Sequence, residues 1–253
     1  ELNMLDLYDF WLCEEIGFEN EKIRKINLKR SLPSDISSLN IAVLTKKKKN
    51  YSNKNLPLFG ISDIFFKTFE DRPNLLTKRE VRIQILADLE LPKNGVIWDI
   101  GAGCGSIGLE ALKLRPNLDL FCIDKRIGSK ALILENSKKL GVNPKFIFED
   151  DINNILKTKI FSSFEKPNRL VIGGCDKKTK LAIINKMTKY MNKGDIVIIP
   201  IIDIQTIEEL KEELEDKNFK TNLNLIQTYK SLSIAKGMRL DPNNPVFLLK
   251  GKK

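Results

Sequence analysis

From residue 77 to residue 216, solid apolar runs alternate with longer stretches of helical period. The runs VIWDI (96–100), LDLFCID (118–124), KFIFE (145–149), RLVIGG (169–174) and DIVIIPII (195–202) predict strands. Between them, TKREVRIQILADLEL, SIGLEALKL, SKALILENSKKL, KKTKLAIINKMTKYM and TIEELKEELEDK predict helices. The first of these should open on a capping box, Thr77 to Glu80, and Gly141 should stop the third. NLNLIQTYKS and PVFLLKG then read as a closing pair of strands with no helix between them. Such alternation predicts an α/β fold, a mostly parallel seven-stranded sheet with helices on both faces and one antiparallel strand. Upstream, residues 1–45 offer an amphipathic helix candidate, NMLDLYDFWLCEEIGF, and strand candidates KIRKINL and LNIAVLT, too little to fold alone. The Lys- and Asn-rich stretch 46–57 lacks periodicity and reads as a linker to a domain spanning 58–253.

Apolar residues make up 42% of the 253, enough for a core, and the longest apolar run, IVIIPIIDI, is too short to cross a membrane. No signal peptide is visible, and the first residue is Glu1 rather than methionine, so the numbering is expected to start inside a longer protein. The formal charge of +10 points to an anionic partner, although many of the lysines fall in low-complexity places. Four dispersed cysteines and no histidine argue for reduced thiols, a cytoplasmic setting and no metal site. Proton transfer would fall to Asp, Glu, Lys or Tyr.

Chemistry concentrates in VIWDIGAGCGSIGLE, residues 96–110, which can be parsed twice. Gly103, Gly105 and Gly108 spell the dinucleotide fingerprint, but two residues late after the strand. Asp99 with Gly101, Gly103 and Gly105 spells the loop that grips S-adenosylmethionine, and it begins where the strand ends. In that parse Asp99 orders the loop or meets the amino-acid end of the cofactor, while Gly101, Ala102, Gly103, Cys104 and Gly105 make room for its methionine moiety. Asp124, at the next strand end, is placed for the ribose hydroxyls, and Asp151 with Ile152 for the adenine. Three features in order on successive strands favour S-adenosylmethionine over a nicotinamide.

GISDIFFKTFEDRPNLLTKREVR followed by WDIGAGCGSIGLEAL, then RLVIGG and KGMRLDPNNPVFLLKG, resembles the decarboxylating precorrin-6B C15-methyltransferases of cobalamin biosynthesis, the CbiT type. The resemblance runs from about Leu58 to Gly251. Residues 11–45 resemble, more weakly, the end of the CbiE domain that precedes it in fused CobL-type enzymes, which would make 1–45 a domain remnant. The resemblance implies a Rossmann-like class I methyltransferase that methylates C15 of precorrin-6B, or its cobalt form, and removes the C12 acetate carboxyl. It also implies a polycarboxylated tetrapyrrole substrate, neither nucleic acid nor membrane as partner, and a homotetramer. Carried over, Thr77 contacts the cofactor, and Gly173, Gly174, Arg239 and Asn244 face the substrate. Two departures stand out. Pro200 and Ile201 occupy a strand end where the family commonly has asparagine, and Cys-Asp-Lys-Lys follows Gly174 where it tends to small residues. A nucleic-acid methyltransferase is the alternative. GGCD (173–176) stands where such enzymes carry an Asn/Asp-Pro-Pro-aromatic motif, and no aromatic-studded basic groove is evident.

Overall fold

The computed structural model describes residues 8–27, 32–46, 56–73, 75–158, 160–234 and 237–253. The chain divides into two compact units, Glu1–Ser52 and Asn53–Lys253. In the first, β1 (Tyr8–Glu14) lies between β2 (Lys22–Ile26) and β3 (Asn40–Lys46), antiparallel to both. The expected helix is therefore wrong over its described part. Aromatic residues suit a strand, and pairing along both edges outweighs the helical spacing. Most of the linker, 47–55, lies outside the described residues.

The second unit carries a seven-stranded sheet in the order β6-β5-β4-β7-β8-β12-β9. Its strands are β4 (Gly95–Ile100), β5 (Leu118–Asp124), β6 (Phe146–Glu149), β7 (Arg169–Ile172), β8 (Ile196–Ile201), β9 (Lys220–Ile226) and β12 (Val246–Lys252). The pairs from β6 through β8 are parallel, and β12 runs antiparallel to both β8 and β9. This is the expected sheet with its one reversed strand. Successive residues face opposite sides. Ile97, Leu120 and Ile198 pack with α1 (Arg79–Asp88), α2 (Ser106–Leu114) and α3 (Ser129–Leu140). Trp98, Phe121 and Ile199 pack on the other face with α4 (Ile152–Ile155), α6 (Lys177–Met187) and α7 (Ile207–Asp216). A short α5 (Ile160–Ser163) precedes β7.

Two further expectations fail locally. NLNLIQTYKS is not one strand: it splits into β9 and β10 (Tyr229–Ile234), and β10 pairs with the unforeseen β11 (Gly237–Pro242) as a separate hairpin. No glycine or proline marks the break. It is held instead by the Gln227 amide donating to the Asn243 carbonyl and the Asn243 N–H donating to the Thr228 carbonyl, 2.7 and 2.9 Å. The capping box is also absent. Lys78 takes the N-cap position of α1, one residue past Thr77, with no side-chain cap, and Glu80 Oε2 is buried without a hydrogen-bond partner among the described residues.

The cause lies in Arg82, which is fully buried. Its Nε donates to Glu110 Oε2 on α2 (3.1 Å) and its Nη1 to Asp63 Oδ1 (3.0 Å) and to the Thr77 carbonyl (2.5 Å). Nη2 donates to the Ile61 carbonyl, and the Ile61 N–H donates to Glu110 Oε1 at 2.5 Å. One guanidinium thus sets where α1 begins and holds the preceding segment against α2. Asn136 adds a second tie: its side chain bonds both backbone groups of Lys67 (2.8 and 2.9 Å) and the Cys104 carbonyl (3.0 Å).

Candidate functional site

The glycine loop joins β4 to α2 across the carboxyl ends of the parallel strands, the place where open α/β sheets bind ligands. Gly101 follows β4 directly, and both its N–H and that of Ala102 donate to the Ile123 carbonyl, 2.8 and 3.1 Å. Gly101 has φ +72°, and a Cβ there would lie 2.3 Å from the Gly173 carbonyl oxygen. The loop therefore rests on the end of β7 with no room for a side chain.

Asp124 receives the loop. Its Oδ2 accepts from the Gly103 N–H at 2.7 Å and its Oδ1 from the Arg126 N–H at 2.8 Å. Asp99 works from below. It is 1% exposed, and its Oδ2 accepts from the Gly108 N–H at 3.0 Å. The N-cap of α2 is Gly105, which has no side chain, so Asp99 supplies the capping oxygen from the adjacent strand. A Cβ at Gly108 would meet Leu120 Cδ1 at 2.7 Å. Helix–sheet packing accounts for that glycine, and with it for the legibility of the dinucleotide parse.

Burial pushes the Asp99 pKa up to about 7, opposed by the Gly108 N–H and reinforced by Asp124. The folded value lies above the ordinary 3.8, so the penalty is absent below about pH 4, grows as pH rises and is complete above about 7. Asp99→Asn keeps an acceptor for Gly108 without the charge. Its stability relative to the unaltered chain should improve by about 2–3 kcal/mol between pH 5 and pH 8. Urea unfolding at both pH values checks this, and an equal difference at the two would refute it.

Gly101, Asp124, Asp151, Ile152 and Gly174 line one cleft, together with Ile100, Ile123, Lys125, Asp150, Cys175, Asp176 and Thr179. Asp151 caps α4, its Oδ1 accepting from the Asn153 N–H at 2.8 Å, while Oδ2 has no hydrogen-bond partner among the described residues. Ala102 and Cys104 are buried, and burial raises the Cys104 thiol. Neither lines the cleft, nor do Thr77, Asp99, Gly103, Gly105 and Gly173. Arg239 does not join them either. It sits exposed on β11, 3.8 Å from Asp241, and Asn244 is exposed beyond that strand. Sequence reasoning missed Lys125, Asp150 and Thr179, although Lys125 and Asp150 adjoin singled-out acids. Cys175 and Asp176 figured there as a departure from the family and within the GGCD that stands in place of the nucleic-acid methyltransferase motif.

The lining carries four carboxylates (Asp124, Asp150, Asp151, Asp176) against one lysine, Lys125. That field repels a pyrophosphate and suits a nucleoside bearing hydroxyls and positive charge. The amide of Gly108, in the first turn of α2, is already occupied by Asp99. The geometry thus follows the parse anchored at Asp99 and Gly101 rather than the one anchored at Gly103.

A family model described as a precorrin methyltransferase domain matches residues 67–253. The chain belongs to the precorrin methyltransferase family. A relative from Saccharolobus solfataricus, named "Probable cobalt-precorrin-6B C(15)-methyltransferase (decarboxylating)", is 32% identical over 212 residues, covering 79% of this chain and 98% of the relative. The crystal structure of precorrin-6y C5,15-methyltransferase from Geobacter metallireducens superposes with a TM-score of 0.68 at 25% identity, over 79% of this chain and all of that one. The fold is shared with precorrin 8W decarboxylase from Methanobacterium thermoautotrophicum, at a TM-score of 0.66 and 24% identity over 76% of this chain and all of that one. This member of the precorrin methyltransferase family therefore has the Rossmann-like methyltransferase fold expected from its sequence.

Proposed function

We propose that the chain methylates C15 of precorrin-6B, or of its cobalt form, using S-adenosylmethionine, and releases the C12 acetate carboxyl as carbon dioxide. The observation that carries this reading is the acidic cleft over a glycine loop in a domain of this family. Asp124 is suited to the ribose hydroxyls and Asp151 with Ile152 to the adenine. The loop from Gly101 to Gly105 would face the methionine end, with Thr77 beside it and Asp99 ordering it from beneath. Gly173 and Gly174 would border the substrate, and Arg239 and Asn244 would reach it only from the exposed segment after β10.

Bound there, the cofactor supplies a methyl group already activated by its sulfonium. The protein's task is then to align that methyl with a ring carbon and exclude water. Breaking the carboxyl carbon bond leaves its electron pair in the conjugated ring, so no histidine is needed. The reading includes a cytoplasmic location and a homotetramer, for which the exposed Tyr229, Met238 and Leu240, on one face of the β10–β11 hairpin, offer an apolar surface. The nucleic-acid alternative has no support in the cleft.

Calorimetric titration with S-adenosylhomocysteine should show micromolar binding, and a parallel titration with NADH none. Incubation with precorrin-6B and S-adenosylmethionine should then yield a product that has gained one methyl and lost one carbon dioxide. Heat from NADH alone would overturn the cofactor assignment.

A further inference from the structure

Lys180 lies on the fourth residue of α6, and only 9% of it is exposed. Its ammonium lies 3.5 Å from the Pro200 carbonyl at the end of β8, a long contact for a group with three donors. Among the described residues no carboxylate forms an ion pair with it. The acids that influence it are Asp176 and Asp203, and both are committed elsewhere. Asp176 Oδ1 accepts from the Thr179 N–H at 2.9 Å and its Oδ2 from the Thr179 hydroxyl at 3.1 Å. Asp203 Oδ1 accepts from the Gln205 N–H at 3.0 Å. Burial lowers the Lys180 pKa, while Cys175, Asp176 and Asp203 oppose that fall. A buried cation without a paired carboxylate is costly to keep. Cys175, Asp176 and Thr179, its neighbours in sequence, line the cleft.

We propose that Lys180 is a substrate-binding residue whose ammonium receives a carboxylate of the substrate between the carboxyl ends of β7 and β8. The inference rests on the reading above that the substrate is a polycarboxylated tetrapyrrole. An anion there supplies the partner that the protein withholds, and a neutral substrate face gains nothing from it. The residue then distinguishes a carboxylated ring edge from an esterified or decarboxylated one.

The test compares the unaltered chain with Lys180→Met and Lys180→Arg, measuring precorrin-6B turnover, S-adenosylhomocysteine affinity and thermal midpoint. In Lys180→Met the KM for the tetrapyrrole should rise about tenfold or more with kcat little changed. Its S-adenosylhomocysteine affinity should stay the same and its Tm should hold or rise, because an unpaired buried charge has gone. Lys180→Arg should recover much of the KM. An unchanged KM in Lys180→Met overturns the inference. So does a variant that fails to fold, or one that loses Tm and cofactor affinity together, since the lysine would then be structural. No turnover by the unaltered chain, with cofactor binding intact, overturns the functional reading and this inference with it.

Discussion

Arg82→Met is expected to cost about 3–5 kcal/mol of folding stability, the usual penalty for breaking a buried ion pair from one side. The Glu110 side chain has no solvent access, and it would be left with only the Ile61 N–H at Oε1. The Ile61 and Thr77 carbonyls and Asp63 would lose their donors at the same time. Because these groups belong to the segment in front of α1, Gly60–Thr77 should come loose before the sheet does. Equilibrium urea unfolding gives the magnitude. Limited proteolysis should add a new cut between residues 60 and 78. Arg82→Met combined with Glu110→Leu should recover part of the loss, since the stranded carboxyl is gone. A single variant within 1 kcal/mol of the unaltered chain would show that the guanidinium is not the anchor.

Gly101→Ala should weaken S-adenosylhomocysteine binding about a hundredfold, or abolish it. Two costs add. The first is an L side chain at φ +72°, about 1–2 kcal/mol. The second is overlap with the Gly173 carbonyl, which is backbone and cannot swing away. Relief requires the loop to lift from β7, which carries the Gly103 N–H away from Asp124. Gly194→Ala provides the control, with φ +91° but nothing within 4 Å of the new carbon. It should lose about 1 kcal/mol of stability and leave calorimetric binding intact. Equal effects from the two substitutions would mean that backbone strain alone, and not the contact with β7, makes residue 101 a glycine.

The sheet and its helices were legible because burial on both faces writes itself as solid apolar runs, as in VIWDI and IVIIPI, punctuated by turns. Tyr8–Glu14 misled because residues 3–18 also satisfy a helical spacing, and only pairing with β2 and β3 decides between the two. The α1 start misled for a related reason. Thr77 and Glu80 have the right spacing for a cap, but the deciding group is Arg82, whose partners Asp63 and Glu110 lie 19 and 28 residues away. Within the cleft, residues on strand ends were readable: Gly101, Asp124 and Gly174 follow or close a strand. Lys125 and Thr179 were not, since a lysine after a strand and a threonine in a helix carry no signal until the chain folds. Lys180 was invisible for the same reason. Nothing in KKTKL marks its last lysine as the buried one.

The place of β12 has a consequence for how this chain reaches its fold. The strand enters between β8 and β9, both made earlier, and β9 meets the sheet through no other strand. Until residues 246–252 arrive, the isoleucine-rich edge of β8 stands open and β9 has no partner in the sheet. On a ribosome that edge is exposed through some fifty residues of further synthesis, about 2.5–10 s at ordinary rates of elongation. The sheet closes by a late, long-range step, the kind that makes folding slow and an open strand edge liable to pair with another chain.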